Sequence, residues 1–137
     1  MKNATAFLLI LMLSTALPAQ EPATAAAHHL ASTKFFAFGG VGRAAKTSDG
    51  EKDFRIVIAQ PHDVALRQFE YLFARGNPEA KSYALVAIHA LAPDRFEVLK
   101  KSLKNSSISV TTMSGCIVDE KTLSSIAKDI EIGSYDH

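Results

Sequence analysis

The side chain with the greatest chemical potential is Cys116, the single cysteine of the 137-residue sequence. A thiol acts as a nucleophile only as the thiolate, so it needs a base or a cation beside it. Its neighbours, Met113-Ser114-Gly115-Cys116-Ile117-Val118, are largely apolar, and the nearest lysine is Lys121. That setting describes a small buried hydrophobe as well as it describes a nucleophile. A catalytic base need only be a spatial neighbour, which leaves His28, His29, His62, His89 and His137 as its possible partners. None of them stands in an H-E-x-x-H or other metal-ligand spacing. A site from His62, His89 and Cys116 would require the fold to gather them, so neither metal nor cofactor is expected. Asp63, Glu70, Glu79, Asp94 and Glu97 fall on helix starts or polar faces, where solvated carboxylates belong. Ser114 lacks the first glycine of the G-x-S-x-G nucleophile turn.

A second candidate is the run Phe38-Gly39-Gly40-Val41-Gly42-Arg43-Ala44-Ala45-Lys46-Thr47. It approaches the phosphate loop G-x-x-x-x-G-K-[ST], but Ala45 stands where the second glycine gives the backbone its freedom to cradle phosphate. It also passes as G-x-G-x-x-A, a loose dinucleotide pattern, in a chain too short for a nucleotide fold around it. A structural glycine loop is the expectation, with Phe38, Gly39, Gly40 and Gly42 as candidate binding residues.

The elements that must position these residues are mostly helical. Ser48-Asp49-Gly50-Glu51 is a capping-box pattern, and Phe54, Val57 and Ile58 follow at helical spacing, which predicts a helix to about Gln60, ended by Pro61. Leu66, Phe69, Leu72 and Phe73 share one face of the next helix, with Gly76 as its stop. Asn77-Pro78-Glu79 starts another, in which asparagine caps, proline occupies the first turn and glutamate complements the dipole. Its body, Tyr83–Leu91, is apolar almost all round and should sit centrally. Pro93 opens a fourth helix, with Phe96, Leu99 and Leu103 inward. Ile108, Val110 and Thr112 alternate with polar residues, a strand signal that needs a partner, either Phe35–Phe38 or one not evident. Asp119 is expected to cap a last helix whose inward face is Leu123, Ile126, Ala127 and Ile130.

The N-terminus bears on compartment. Lys2 precedes the uncharged run Ala6–Leu17, and small or turn-forming residues follow: the three regions of a secretory signal peptide. The run is well short of the ~20 residues that span a bilayer as a helix. Cleavage after Ala19 lies close to the apolar run; cleavage after Ala25 fits Ala-x-Ala better but lies farther away. Residues 1–19 are therefore read as a signal peptide, 20–33 as a flexible leader, 34–131 as one helical domain and 132–137 as a tail. Loss of Lys2 alone balances the 15 basic residues against the 14 acidic ones. That neutrality argues against nucleic acid and against an anionic membrane surface as partner, and no stable membrane insertion is expected after cleavage. A lone cysteine cannot staple an exported domain to itself, so packing must hold it together.

Residues 62–91 resemble one HEAT repeat, a helical hairpin of the armadillo-like class. The resemblance is carried by Leu66-Arg67-Gln68-Phe69-Glu70-Tyr71-Leu72-Phe73, the turn Gly76–Lys81 and the alanine-rich Tyr83–Leu91. In that family stacked hairpins form a concave protein-binding surface, and small alanines let neighbouring helices approach closely. No second copy recurs at a fixed period. The whole chain also looks like exported bacterial proteins carrying a Met-Ser-Gly-Cys segment, which implies no activity. Together these readings predict a mainly α, compact five-helix domain with a HEAT-like hairpin and one or two short strands. The expected role is a non-enzymatic, exported module that binds another exported protein through the hairpin of residues 62–104 and the Gly39–Gly42 loop. The alternative is a small thiol-dependent enzyme or redox protein using Cys116.

Overall fold

A computed structural model describes residues 20–136; residues 1–19, read from the sequence as a signal peptide, and His137 lie outside them. Six helices and two antiparallel two-stranded sheets make up the described chain, so it is mainly helical. The helices are α1 (Gln20–Leu30), α2 (Asp49–Ile58), α3 (His62–Arg75), α4 (Pro78–Leu91), α5 (Pro93–Ser102) and α6 (Leu123–Glu131). The strands are β1 (Gly40–Val41) with β2 (Lys46–Thr47), and β3 (Ser109–Ser114) with β4 (Ile117–Thr122). No helix among the described residues is long and apolar enough to cross a membrane.

The apolar sequence of α4 puts it at the centre. From Ala80 to Ile88 only Lys81 escapes burial, and the helix packs on α3, α5, α6 and β3. Its start follows the sequence: Asn77 accepts from the Ala80 N–H at 2.8 Å, and Pro78 takes the first turn. Around α4 the inward faces of the other helices close the core with Val57, Phe69, Leu72, Phe96, Ile126 and Ile130.

Residues 20–30, expected to be a flexible leader, instead form α1. Ala23, Ala26 and Leu30 fall at i, i+3 and i+7, are each at most 2% exposed, and pack on α2. Two of these are alanines, so the stripe carries little hydrophobicity and reads as low-complexity sequence until a partner helix is present. The anchor is polar as well: Asn77 donates from its side chain to the Thr33 carbonyl at 2.7 Å and from its backbone to the Ala31 carbonyl at 3.0 Å.

The C-terminal end differs from expectation in a second way. Asp119 does not cap a helix but lies in β4, opposite Thr112. The cap is Thr122, whose side chain accepts from the Ser125 N–H at 3.2 Å. Gly115-Cys116 forms a two-residue turn between β3 and β4, with Gly115 at φ +55°, so Ile117–Thr122 folds back on β3 and delays the helix. The expected tail is also packed: the Tyr135 ring lies 4.9 Å from that of Phe36.

Phe35–Phe38 is not a regular strand. It runs beside β3 through a single parallel bridge, with the Phe36 N–H donating to the Thr111 carbonyl at 2.8 Å and Met113 N–H donating to the Phe36 carbonyl at 3.2 Å. Thr111 N–H is satisfied from elsewhere, by the carboxylate of buried Glu79 at 2.8 Å, which pins β3 to the first turn of α4.

Candidate functional site

Two of the segments singled out by sequence, the glycine loop and the turn bearing Cys116, meet in the fold. Gly42 N–H donates to the Gly115 carbonyl at 2.7 Å, and Gly115 N–H donates to the Gly40 carbonyl at 3.1 Å. The glycine loop and the turn bearing Cys116 are thus joined backbone to backbone. Gly39 and Gly42 have φ of +83° and +71°, values that side-chain-bearing residues rarely adopt. Ala45 takes φ +46° and closes the small hairpin between β1 and β2, so these glycines shape a turn.

A polar network holds the loop to the helices. Tyr83 donates through its hydroxyl to the Ala37 carbonyl at 2.7 Å and accepts from the Ala37 N–H at 3.0 Å. Ser48 donates to the same carbonyl at 3.1 Å while accepting from the Glu51 N–H, capping α2. Burial raises the Tyr83 phenol above its ordinary value of 10.0, against the opposing effect of its hydrogen bonds with Ser48 and Ala37. Half of the capping box is redirected: the Glu51 side chain does not return to Ser48 but accepts from the Gly39 N–H at 2.9 Å and pairs with Arg55 at 2.6 Å. This carboxylate is only 4% exposed and is the main polar tether of the glycine loop.

Phe38, proposed as a binding residue, is half-buried, its ring 5.1 Å from Phe54 and 5.2 Å from Tyr83. Cys116 departs from the buried hydrophobe its neighbours suggested: at the second position of a two-residue turn it is exposed. Beside it, Ile117 is 71% and Val118 53% exposed. Under this edge lies a cavity of about 350 Å³ reached by Ile117, Phe38 and Tyr135. No hydrogen bond or ion pair engages the thiol among the described residues. The described histidines make their contacts elsewhere: His62 with the Leu91 carbonyl at 2.8 Å, His89 on the Phe96 ring, and His29 with His28 and Asp53. No group of three or more histidine, cysteine or acidic residues among the described residues could hold a metal ion.

On the opposite side of the glycine loop is a larger open groove of about 870 Å³. Its walls are the end of α1, residues 32–37, the β1–β2 hairpin and the first turns of α2, with Met113 from β3. Asp53 faces it with 18% of its side chain exposed, 4.0 Å from His29. Burial raises the Asp53 carboxyl above its ordinary value of 3.8, partly offset by the attraction of His29. The glycine run and the capping box had marked Gly42, Lys46, Thr47 and Ser48 in its wall, but nothing in the sequence joined them to the end of α1 and Met113. No family model matches the chain, and neither a curated protein nor a solved structure matches it.

Proposed function

We propose that the chain is an exported, non-enzymatic interaction module that holds another exported protein at the face where the glycine loop meets the β3–β4 turn. The observation that carries this reading is the exposure of Ile117 at the 350 Å³ cavity, with exposed Val118 beside it in β4, next to a turn braced through Gly115 to Gly40 and Gly42. Adjacent exposed apolar side chains are costly to leave in water and are typical of surfaces that meet a partner. Bracing limits the entropy lost on association. The helical hairpin of α3 and α4 is the support for this face through Tyr83 and Glu79, and its own exposed apolar residue is Tyr71.

The test is a photo-crosslinker attached to Cys116 in the exported fraction. A single adduct that is lost with Ile117→Asp and retained with Val98→Asp is the expected result. Equal adducts from both variants, or none from the parent protein, would overturn the assignment. A thiol-dependent activity is the second reading, favoured by the exposure of Cys116. Under it, Cys116→Ser abolishes the function while Ile117→Asp spares it.

A further inference from the structure

The groove on the other side of the glycine loop carries a separate inference, independent of the interaction surface. Six ionisable side chains line it: His29, Lys34, Lys46, Asp49, Lys52 and Asp53. Lys52 pairs with Asp49 at 2.9 Å, and His29 lies 4.0 Å from Asp53. Lys34 and Lys46 also line the groove, and neither has a carboxylate within 4.0 Å among the described residues. The surplus charge of the groove is therefore positive in a protein whose two signs are nearly balanced, with 15 basic and 14 acidic residues.

Its uncharged lining is equally selective. Ser32, Thr33 and Thr47 line the groove, and their hydroxyls make no hydrogen bond among the described residues. Ser48 also lines it, but its hydroxyl is already committed to Ala37 and Glu51. Phe35, Val41 and Met113 supply an apolar strip. A volume of about 870 Å³ suits a small organic molecule and is far too large for a bare ion.

We infer that this groove binds a small hydroxyl-bearing organic oxyanion, its acidic group held by Lys34 and Lys46 and its hydroxyls by Ser32, Thr33 and Thr47. Two ammonium groups attract the anion through solvent, and the free hydroxyls can donate or accept as the ligand requires. The back of the groove is fixed by Gly50, where an added Cβ would lie 2.7 Å from the Tyr83 hydroxyl and 3.0 Å from Thr33 Oγ1.

The probe is glucuronate, titrated into the isotope-labelled protein and followed by amide chemical shifts, with glucose and inorganic phosphate as parallel arms. Saturable shifts are expected at Lys34, Gly42 and Thr47 with glucuronate, weakening as salt is raised. The double variant Lys34→Glu/Lys46→Glu should bind roughly tenfold more weakly or worse. Both lysines are exposed, so the fold should persist, and an unchanged melting temperature checks this. Lys101→Glu/Lys104→Glu, also at exposed positions, should bind as the parent does. Phosphate binding as tightly as glucuronate would overturn the role of the hydroxyls, and glucose binding equally would overturn the role of charge. Absence of saturable shifts with glucuronate, or shifts indifferent to the lysine pair, would overturn the site.

Discussion

Tyr83 grips both polar groups of Ala37, accepting from its N–H at 3.0 Å and donating to its carbonyl at 2.7 Å. A residue of the central helix thereby serves as the missing strand neighbour for an irregular segment. Phe35–Phe38 bonds to β3 on one side, and the phenol satisfies its other side at the point where a regular sheet would need another strand.

Tyr83→Phe should therefore destabilise the fold by about 1–3 kcal/mol, since it keeps the ring but orphans the buried Ala37 N–H. Urea denaturation measures this. Amide exchange should accelerate at Ala37 and Gly39 before it does in α4. A loss within error of zero would show that water replaces the hydroxyl.

Gly50→Ala should be destabilising by about 1–2 kcal/mol even though Gly50 lies in α2, where alanine is ordinarily the better helix former. The reason is the approach of the added methyl to Tyr83 and Thr33. Combining it with Tyr83→Phe should relieve part of the cost, so the two effects will be non-additive in a thermal-melt cycle.

Cys116 should react fully with a thiol reagent in the native protein without denaturant, because it is exposed at a turn. Cys116→Ser should change unfolding free energy by less than about 0.5 kcal/mol, the range of surface substitutions. Protection of the thiol until unfolding would contradict the structure of the β3–β4 turn.

Asp53 should make the fold costlier to hold at neutral pH than in mild acid. Its folded pKa lies above the ordinary value of 3.8, so the folded protein binds this proton more tightly than the unfolded chain. The ionised form thus carries a penalty above the folded pKa, relieved as pH falls through it and gone below about pH 3.8. Asp53→Asn should be at least as stable as the parent at pH 7 and lose that advantage at about pH 3. Melting temperatures across that range measure it. A parent–variant difference that stays flat with pH would rule the effect out.

The helical core was legible because its signals are local. Ser48, Asn77, Pro78 and Pro93 mark helix starts, and the spacing of Phe54, Phe69, Tyr83–Leu91, Phe96 and Leu123–Ile130 marks faces that the structure buries. Helix α1 was hidden because its buried stripe consists of Ala23, Ala26 and Leu30, too weakly apolar to stand out without α2. Strand β4 was hidden because five of its six residues are exposed and none is buried, so no alternation survives; the signal available was Gly115, suited to a two-residue hairpin turn. Of the candidate site, Gly39, Gly40, Gly42 and Cys116 were visible as residues, but their union rests on backbone bonds to Gly115. The tether from Glu51 to Gly39 had a signal in the capping box, and that signal suggested the wrong donor, the Ser48 N–H in place of the Gly39 N–H.

The seating of Phe36 against Thr111, Met113 and Tyr135 has a consequence for the order of assembly. A segment near the start of the described chain cannot complete its contacts until nearly all of the polypeptide is available. Helices α2 to α5 can form from neighbours in sequence, but the glycine loop acquires its brace only when the C-terminal hairpin arrives. Folding as the chain emerges should therefore pause at a helical intermediate in which Phe36 still lacks its bonds to β3 and its contact with Tyr135. The loop–hairpin face would then be the last surface to mature, so that a chain cut short before Gly115 never displays it.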